Sequence, residues 1–264
     1  MPLVTGAITR AATPHLHEPG LKKLIFDEWD LYIDEYQFMY NMDTSLKAQE
    51  HDWVGSGMST FPPLSEGDEV TFDTMQEAYR KTYTHDAFAK GIKITRIARQ
   101  DDLYGFTRVQ SLVKELGRTA KYTKNVRAMS VLNDSSTTNI YTLGGVSRPL
   151  VSLTHQRVDG GTFANRFTTT MSLGVESIEL ALSQFETDMF DHRGRPQGVM
   201  PKYLVVPPAQ RWIARRLLET KQRPFTNAND VNVVTDYDLE LKVLHHLNNN
   251  GQWYILGAPT KTGF

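Results

Sequence analysis

The stretch from Glu69 to Arg99, EVTFDTMQEAYRKTYTHDAFAKGIKITRIAR, constrains the fold more than any other. Val70 and Phe72 alternate with polar partners, and Ile92, Ile94 and Ile97 do so more loosely, which is the period of strands. Polar residues dominate between them. Two extended strands with so few apolar side chains cannot build a core of their own. Such a hairpin has to lie on something else, either the rest of its domain or another chain. The residues before it, 52–68 (DWVGSGMSTFPPLSEGD), are broken by Gly, Ser and Pro and read as a loop. Residues 1–20, rich in small residues, Thr and Pro, read as an extended arm that orders on a partner or as a frayed terminus.

The rest of the chain supplies a body. In residues 21–42, Leu24, Ile25, Trp29, Ile33, Tyr36 and Tyr40 recur at steps of three or four and predict a helix. Asp27, Glu28, Asp30, Asp34 and Glu35 cover its other face. The strongest helical period lies in residues 100–133, through Val109, Leu112, Val113, Leu116, Ala120, Val126 and Met129. About 30 residues of helix make a rod of roughly 45 Å. Gly105 and Gly117 leave two abutting helices open, and Asp101 and Asp102 sit where a helix dipole favours anions. Lys114, Arg118 and Lys121 line up on the opposite face, with Lys124 and Arg127 near them. Each charged face reads first as a solvated surface. The acidic face reads second as one that meets a basic face on a neighbouring subunit, and the basic stripe reads second as a nucleic-acid site.

Residues 134–172 read as loops with short strands. A second amphipathic helix follows over 173–194, with Ile178, Leu180, Ala181, Leu182, Phe185 and Met189 inward and Gly194 stopping it. Tyr203 to Val206 is a short buried strand ended by Pro207, and Pro208 suits the first turn of a helix whose apolar side is Trp212, Ile213, Leu217 and Leu218. Residues 229–240 read as a strand ending in a turn, and 252–259 as a final strand. This alternation is that of an α+β or α/β chain.

Composition and motifs narrow the function. The chain has 264 residues, 40% hydrophobic and 22% charged, which suits a folded chain. With 29 basic and 30 acidic side chains the net charge is -1, and a chain that grips many phosphates carries a basic excess. There is no cysteine, so disulfides, thiolate zinc sites and a cysteine nucleophile are excluded. No apolar run approaches the roughly 20 residues needed to span a bilayer. The first 20 residues lack the apolar core of a signal peptide, so a cytoplasmic site of synthesis is expected. His15, His17, His51, His85, His155, His192, His245 and His246 form no HExxH arrangement. Neither a GxSxG elbow nor a GxxxxGK[ST] loop occurs, and Gly160–Gly161 read as a turn. No catalytic, cofactor-binding or metal-ligating residue is assigned.

The order of the parts is informative where each part alone is weak. An arm precedes a long polar hairpin. GIKITRIARQDDLYGFTRVQSLVKELGRTAKYTKN then leads into a long helix. Later come MPKYLVVPPAQRWIARRLL, VNVVTDYDL and QWYILGAP. Over nearly the whole chain this series resembles the major capsid proteins of tailed bacteriophages, which share the Hong Kong 97-like fold. The resemblance implies an α+β subunit with an N-terminal arm and helix over 1–49 and an extended hairpin, the E-loop, over 50–97. A peripheral domain with a spine helix would span 98–140 and an axial domain 141–245, with a return to the peripheral domain over 246–264. It implies a shell protein, not an enzyme, that forms pentamers and hexamers closing into an icosahedral head around double-stranded DNA. The virion would be its location and the host cytoplasm its place of assembly. Its partners would be other copies of itself, a scaffolding protein, a portal and a decoration protein, with weak non-specific contact to packaged DNA, no membrane and no cofactor. Many relatives run further past the final strand, and a scaffold is expected as a separate protein. Asp27, Glu28, Asp30, Asp34 and Glu35 against Lys114, Arg118, Lys121, Lys124 and Arg127 are candidate contacts between subunits. An encapsulin-like nanocompartment on the same fold is the alternative. A hydrolase using His155 or His192 stands further off.

Overall fold

The computed structural model describes residues 18–55, 57–74, 77–93, 107–137, 139–143, 146–191, 193–223 and 230–257. The arm before residue 18, Ile94, Ile97, Asp101, Asp102, Gly105 and His192 lie outside the described residues. The chain divides into two compact units, one from the described residues of 1–35 and 86–128, the other from those of 36–85 and 129–264.

The first unit holds α1 (Glu18–Leu31) and the larger part of α2 (Thr107–Asn133). At 27 residues α2 runs unbroken through Gly117, about 40 Å of rod. Its buried positions are Val113, Gly117, Lys121, Asn125, Met129 and Leu132, spaced almost entirely by four. The expected stripe differs: Leu112, Ala120 and Val126 are exposed. Steps of four define a ridge that winds slowly round the helix, so the contact line drifts away from a stripe drawn by hydropathy. Gly117 is required on this line, because a Cβ there would sit 2.7 Å from the Ile25 carbonyl oxygen.

The first helix stops at Leu31, short of the expected residue 42. The Asn125 side chain donates to the Ile33 carbonyl (3.3 Å), a tertiary bond that replaces a further helical turn. Ile33 therefore leaves the stripe and is 82% exposed.

In the second unit, a three-stranded sheet has the order β8–β7–β9, with β7 (Pro201–Val206) parallel to β8 (Glu240–Val243) and antiparallel to β9 (Tyr254–Gly257). Leu204, Val205 and Val206 are fully buried, as expected of a central apolar strand. Ile178 and Leu182 of α3 (Val175–Thr187), Ala214 and Leu217 of α4 (Arg211–Glu219), Val234 and Leu239 complete this core. Four expectations shift. The third helix ends at Thr187, capped by Asp188, and Gly194 (φ +76°) instead closes a turn back to Asp191. Its Leu180 is exposed. The inward face of α4 is Ala214, Leu217 and Leu218, which leaves Trp212 66% exposed. Residues 233–237 form a 3-10 helix, not a strand. Asn232 explains that change: its amide donates to the carbonyls of Leu217 (2.7 Å) and Thr220 (2.8 Å) and accepts from the Val234 N–H, capping both helical ends.

A four-stranded antiparallel sheet has the order β1–β2–β3–β4, from β1 (Gln49–Gly55), β2 (Glu77–Thr84), β3 (Asn139–Leu143) and β4 (Val146–Pro149). Two short strands, β5 (His155–Gln156) and β6 (Thr162–Phe163), pair nearby in sequence. The hairpin is thus real but differently placed. β1 and β2 pair from Gln49↔Thr84 to Gly55↔Glu77, while Val70 and Phe72 lie outside any strand.

Candidate assembly surfaces

The charged faces expected to meet neighbours are largely engaged within the first unit. Glu28, almost fully buried, accepts from the Arg118 guanidinium (3.0 Å) and lies 3.8 Å from the Lys114 ammonium. Lys121 is buried too, bonded to Asp34 at 2.9 Å and seated 4.9 Å from the centre of the Trp29 ring. Lys121 was expected on the open basic stripe, yet its position belongs to the ridge that α1 covers. Lys124 also stands over the Trp29 ring (5.8 Å to its centre), and Arg127 over the Phe88 ring (4.9 Å). Asp27 and Asp30 face solvent and Glu35 is half-buried. Apolar groups take the opposite position: Phe26, Leu31, Tyr32 and Ile33 are exposed. The α1–α2 seam is therefore inverted, with charge inside and apolar surface outside.

The second surface was not assigned as a site in the sequence: residues 52–68 read as a loop, and Val70 and Phe72 as part of a strand that lies on its own domain or another chain. Between β1 and β2, residues 57–74 carry Met58, Phe61, Leu64, Val70 and Phe72, all exposed, and Phe61 and Phe72 are each 96% open. The loop turns at Gly67 (φ +97°), where the Asp68 carboxylate accepts from the Ser65 N–H (2.9 Å). Glu66, Asp68 and Glu69 add negative charge beside the apolar groups. Isolated Phe and Leu residues set among Gly, Ser and Pro were the available signal.

Other chemistry is thinly spread. His155 is buried, its Nε2 3.1 Å from the Asn165 amide oxygen, its ring stacked on Phe163. Burial pushes its pKa down, partly opposed by the bonds to Asn165 and the Leu150 backbone. Tyr40 is pushed up to about 12 by burial. An open depression is lined by Trp212, Arg215, Arg216, Glu219 and Thr220. Among the described residues, no three His, Asp or Glu side chains group closely enough to hold a metal ion.

The fold finds a counterpart among viral shells. The structure is similar to a subunit in the procapsid of bacteriophage JBD30, with a TM-score of 0.59 and 15% identity, covering 90% of this chain and 99% of that one. No curated protein matches the sequence. The family model for phage capsid proteins matches residues 78–264. The chain belongs to the phage capsid protein family.

Proposed function

We propose that this protein is the shell subunit of a tailed-phage head, assembling into pentamers and hexamers that close into an icosahedral shell around double-stranded DNA. One observation carries the reading. A paired hairpin presents Phe61 and Phe72 at 96% exposure, uncovered by the described residues. Burying such a side chain is worth about 1.5–3 kcal/mol. Copies that lay this loop on one another recover that energy, and head-to-tail contact between two different surfaces generates rings. In the capsid reading, residues 1–49 form the N-terminal arm and helix, and 50–97 the E-loop. Residues 98–140 carry the spine helix α2, 141–245 the axial domain, and 246–264 the return.

The role is structural and not catalytic. A scaffolding protein, a portal and a decoration protein are the partners this reading adds, along with weak contact to DNA. Assembly takes place in the host cytoplasm and the product is the virion. No described helix is long and apolar enough to cross a membrane. Of the ten charged residues, Glu28, Asp34, Lys114, Arg118 and Lys121 are engaged in the α1–α2 seam. We assign contact with neighbours to the exposed Asp27, Asp30, Lys124 and Arg127.

The test is sedimentation and negative-stain microscopy of the expressed full chain, beside the double variant Phe61→Ser, Phe72→Ser. Wild type forms rings or shells. The variant unfolds at the wild-type temperature, since exposed substitutions stay within about 0.5 kcal/mol, yet yields few particles. Uniform wild-type monomers at high concentration, with the scaffolding protein present, would sink the reading.

A further inference from the structure

The apolar loop of residues 57–74 is open at its tip but tied at its base. The Asp73 carboxylate accepts from the Ser59 N–H (2.5 Å), which joins the loop's two legs, and from the Thr74 N–H (2.9 Å). The same carboxylate lies 3.7 Å from the Arg193 guanidinium, whose Nη2 donates to the Thr74 carbonyl (3.1 Å). The other leg rests on the same turn. Gly57 adopts φ +72°, and a Cβ there would stand 3.2 Å from the Arg195 guanidinium. Arg195 is itself held, its Nε donating to Asp191 at 2.7 Å and its N–H at 2.8 Å. The Arg193 N–H donates to Asp191 as well (2.9 Å). Burial alone would raise the Asp191 carboxyl, but these donors outweigh it and hold the group below the usual carboxylate range. The turn closes with the Gly194 N–H on the Asp191 carbonyl (3.0 Å). Arg193 and Arg195, both tied to Asp191, thus receive both ends of the loop.

We propose that the Asp191–Arg195 turn is a two-point clamp that aims the 57–74 loop, and that Asp73 is the positioning residue that closes it. The inference rests on the shell-subunit reading and adds to it how the loop is presented. A loop of this length without a closed base samples many directions, and ordering it on a neighbour would then cost conformational entropy for each residue newly fixed. A closed base removes much of that cost before the neighbour arrives, which is preorganisation. Charge and geometry on the clamp concern only direction, because the apolar contacts are made elsewhere, at Phe61, Leu64, Val70 and Phe72.

The experiment uses the full chain with two single variants, Asp73→Ala and Arg193→Met, and one double variant, Ser59→Cys with Asp73→Cys. The chain has no other cysteine, so oxidation closes the base by a single new bond. Three quantities are read: the unfolding temperature, the rate of chymotryptic cleavage within 57–74 in free subunits, and the yield of closed shells. The single variants are expected to unfold within about 3 °C of wild type. Their loops are expected to be cut at least about fivefold faster, since local opening governs cleavage. Shell yield falls severalfold with them, and the oxidised double variant regains both protection and yield until reduced. Equal cleavage rates overturn the clamp. So does faster cleavage with unchanged shell yield, while the shell reading survives that result. Unfolding far below wild type in both single variants makes these contacts part of the subunit's fold and also overturns the proposal. Should wild type form no particles, the shell reading fails and the cleavage rates alone decide the clamp.

Discussion

The core around β7 and the seam between α1 and α2 solve the same packing problem with opposite chemistry. Around β7, Leu204, Val206, Ile178, Leu182, Ala214 and Leu217 exclude water as most domains do. In the seam, the buried side chains include Glu28, Lys121 and Asn125, while Phe26, Leu31 and Ile33 stay outside. An apolar core is stable wherever its volume is filled. A charged seam is stable only while every partner is present, because a buried charge left alone is costly. The seam is consequently held by direction and partner identity, and the β7 core by shape.

The largest effect should come from the core. Leu204→Ala removes a fully buried side chain from the central strand and leaves a cavity, costing about 4 kcal/mol in denaturant unfolding. Next, Lys121→Ala should cost about 3 kcal/mol, because Asp34 then stays half-enclosed without its ammonium. Lys121→Met separates the two explanations. It keeps the stem against Trp29 and supplies a sulfur to the ring, but it cannot pair with Asp34. If packing dominates the seam, Met restores most of the loss. If charge pairing dominates, Met stays near Ala, and only the joint variant with Asp34→Leu recovers stability.

These two regions also differ in how openly the sequence declared them. The LVV run before Pro207–Pro208 could only be a buried strand, and β7 is one. The length of α2 was legible because no proline interrupts its period. Its buried line was not, since Lys121 and Asn125 rank as surface residues on any hydropathy scale and only α1 makes them interior. The polar β2, EAYRKTYT, shows no apolar alternation and becomes a strand through its pairing with β1. Residues 233–237 look like a strand from their β-branched content, yet Asn232 bonds to α4 and winds them into a helix. The loop's role was hidden for a related reason. Gly, Ser and Pro mark residues 52–68 as irregular and Val70 with Phe72 suggests a strand, so only the isolated apolar residues hint that Phe61 and Phe72 end up uncovered.

A buried polar group in the second unit sharpens the comparison through pH. Burial lowers the His155 pKa, so the folded subunit resists a proton that the unfolded chain accepts near about pH 6.5. Stability from this group is complete above that pH. It is lost as pH falls from there through the folded value. His155→Gln should flatten that part of the curve, measured as unfolding temperature between pH 7.5 and 4.5 in both proteins. An unchanged slope would show that the Asn165 bond holds the ring without any charge penalty.

The smallest effect belongs to a backbone position in the second unit. Asp238 ends the 3-10 helix in the left-handed region, at φ 47° and ψ 46°, the only described non-glycine residue with positive φ. This residue is exposed, so the side chain contributes little packing. A Cβ in that conformation costs about 1–2 kcal/mol for an ordinary residue, less for Asp, whose short side chain bonds locally. Gly removes the strain but gives the unfolded chain more freedom to lose. The two terms nearly cancel, so Asp238→Gly should raise stability by no more than about 0.5 kcal/mol, and Asp238→Ala should lower it by about 1 kcal/mol. Because Asp238 lies just before β8, the Ala variant should loosen the β7–β8 pairing first, read as faster amide exchange at Lys242 and Leu244, whose N–H groups face β7. Exchange that speeds up instead across the whole β7 core would mean that the turn and the sheet unfold as one unit.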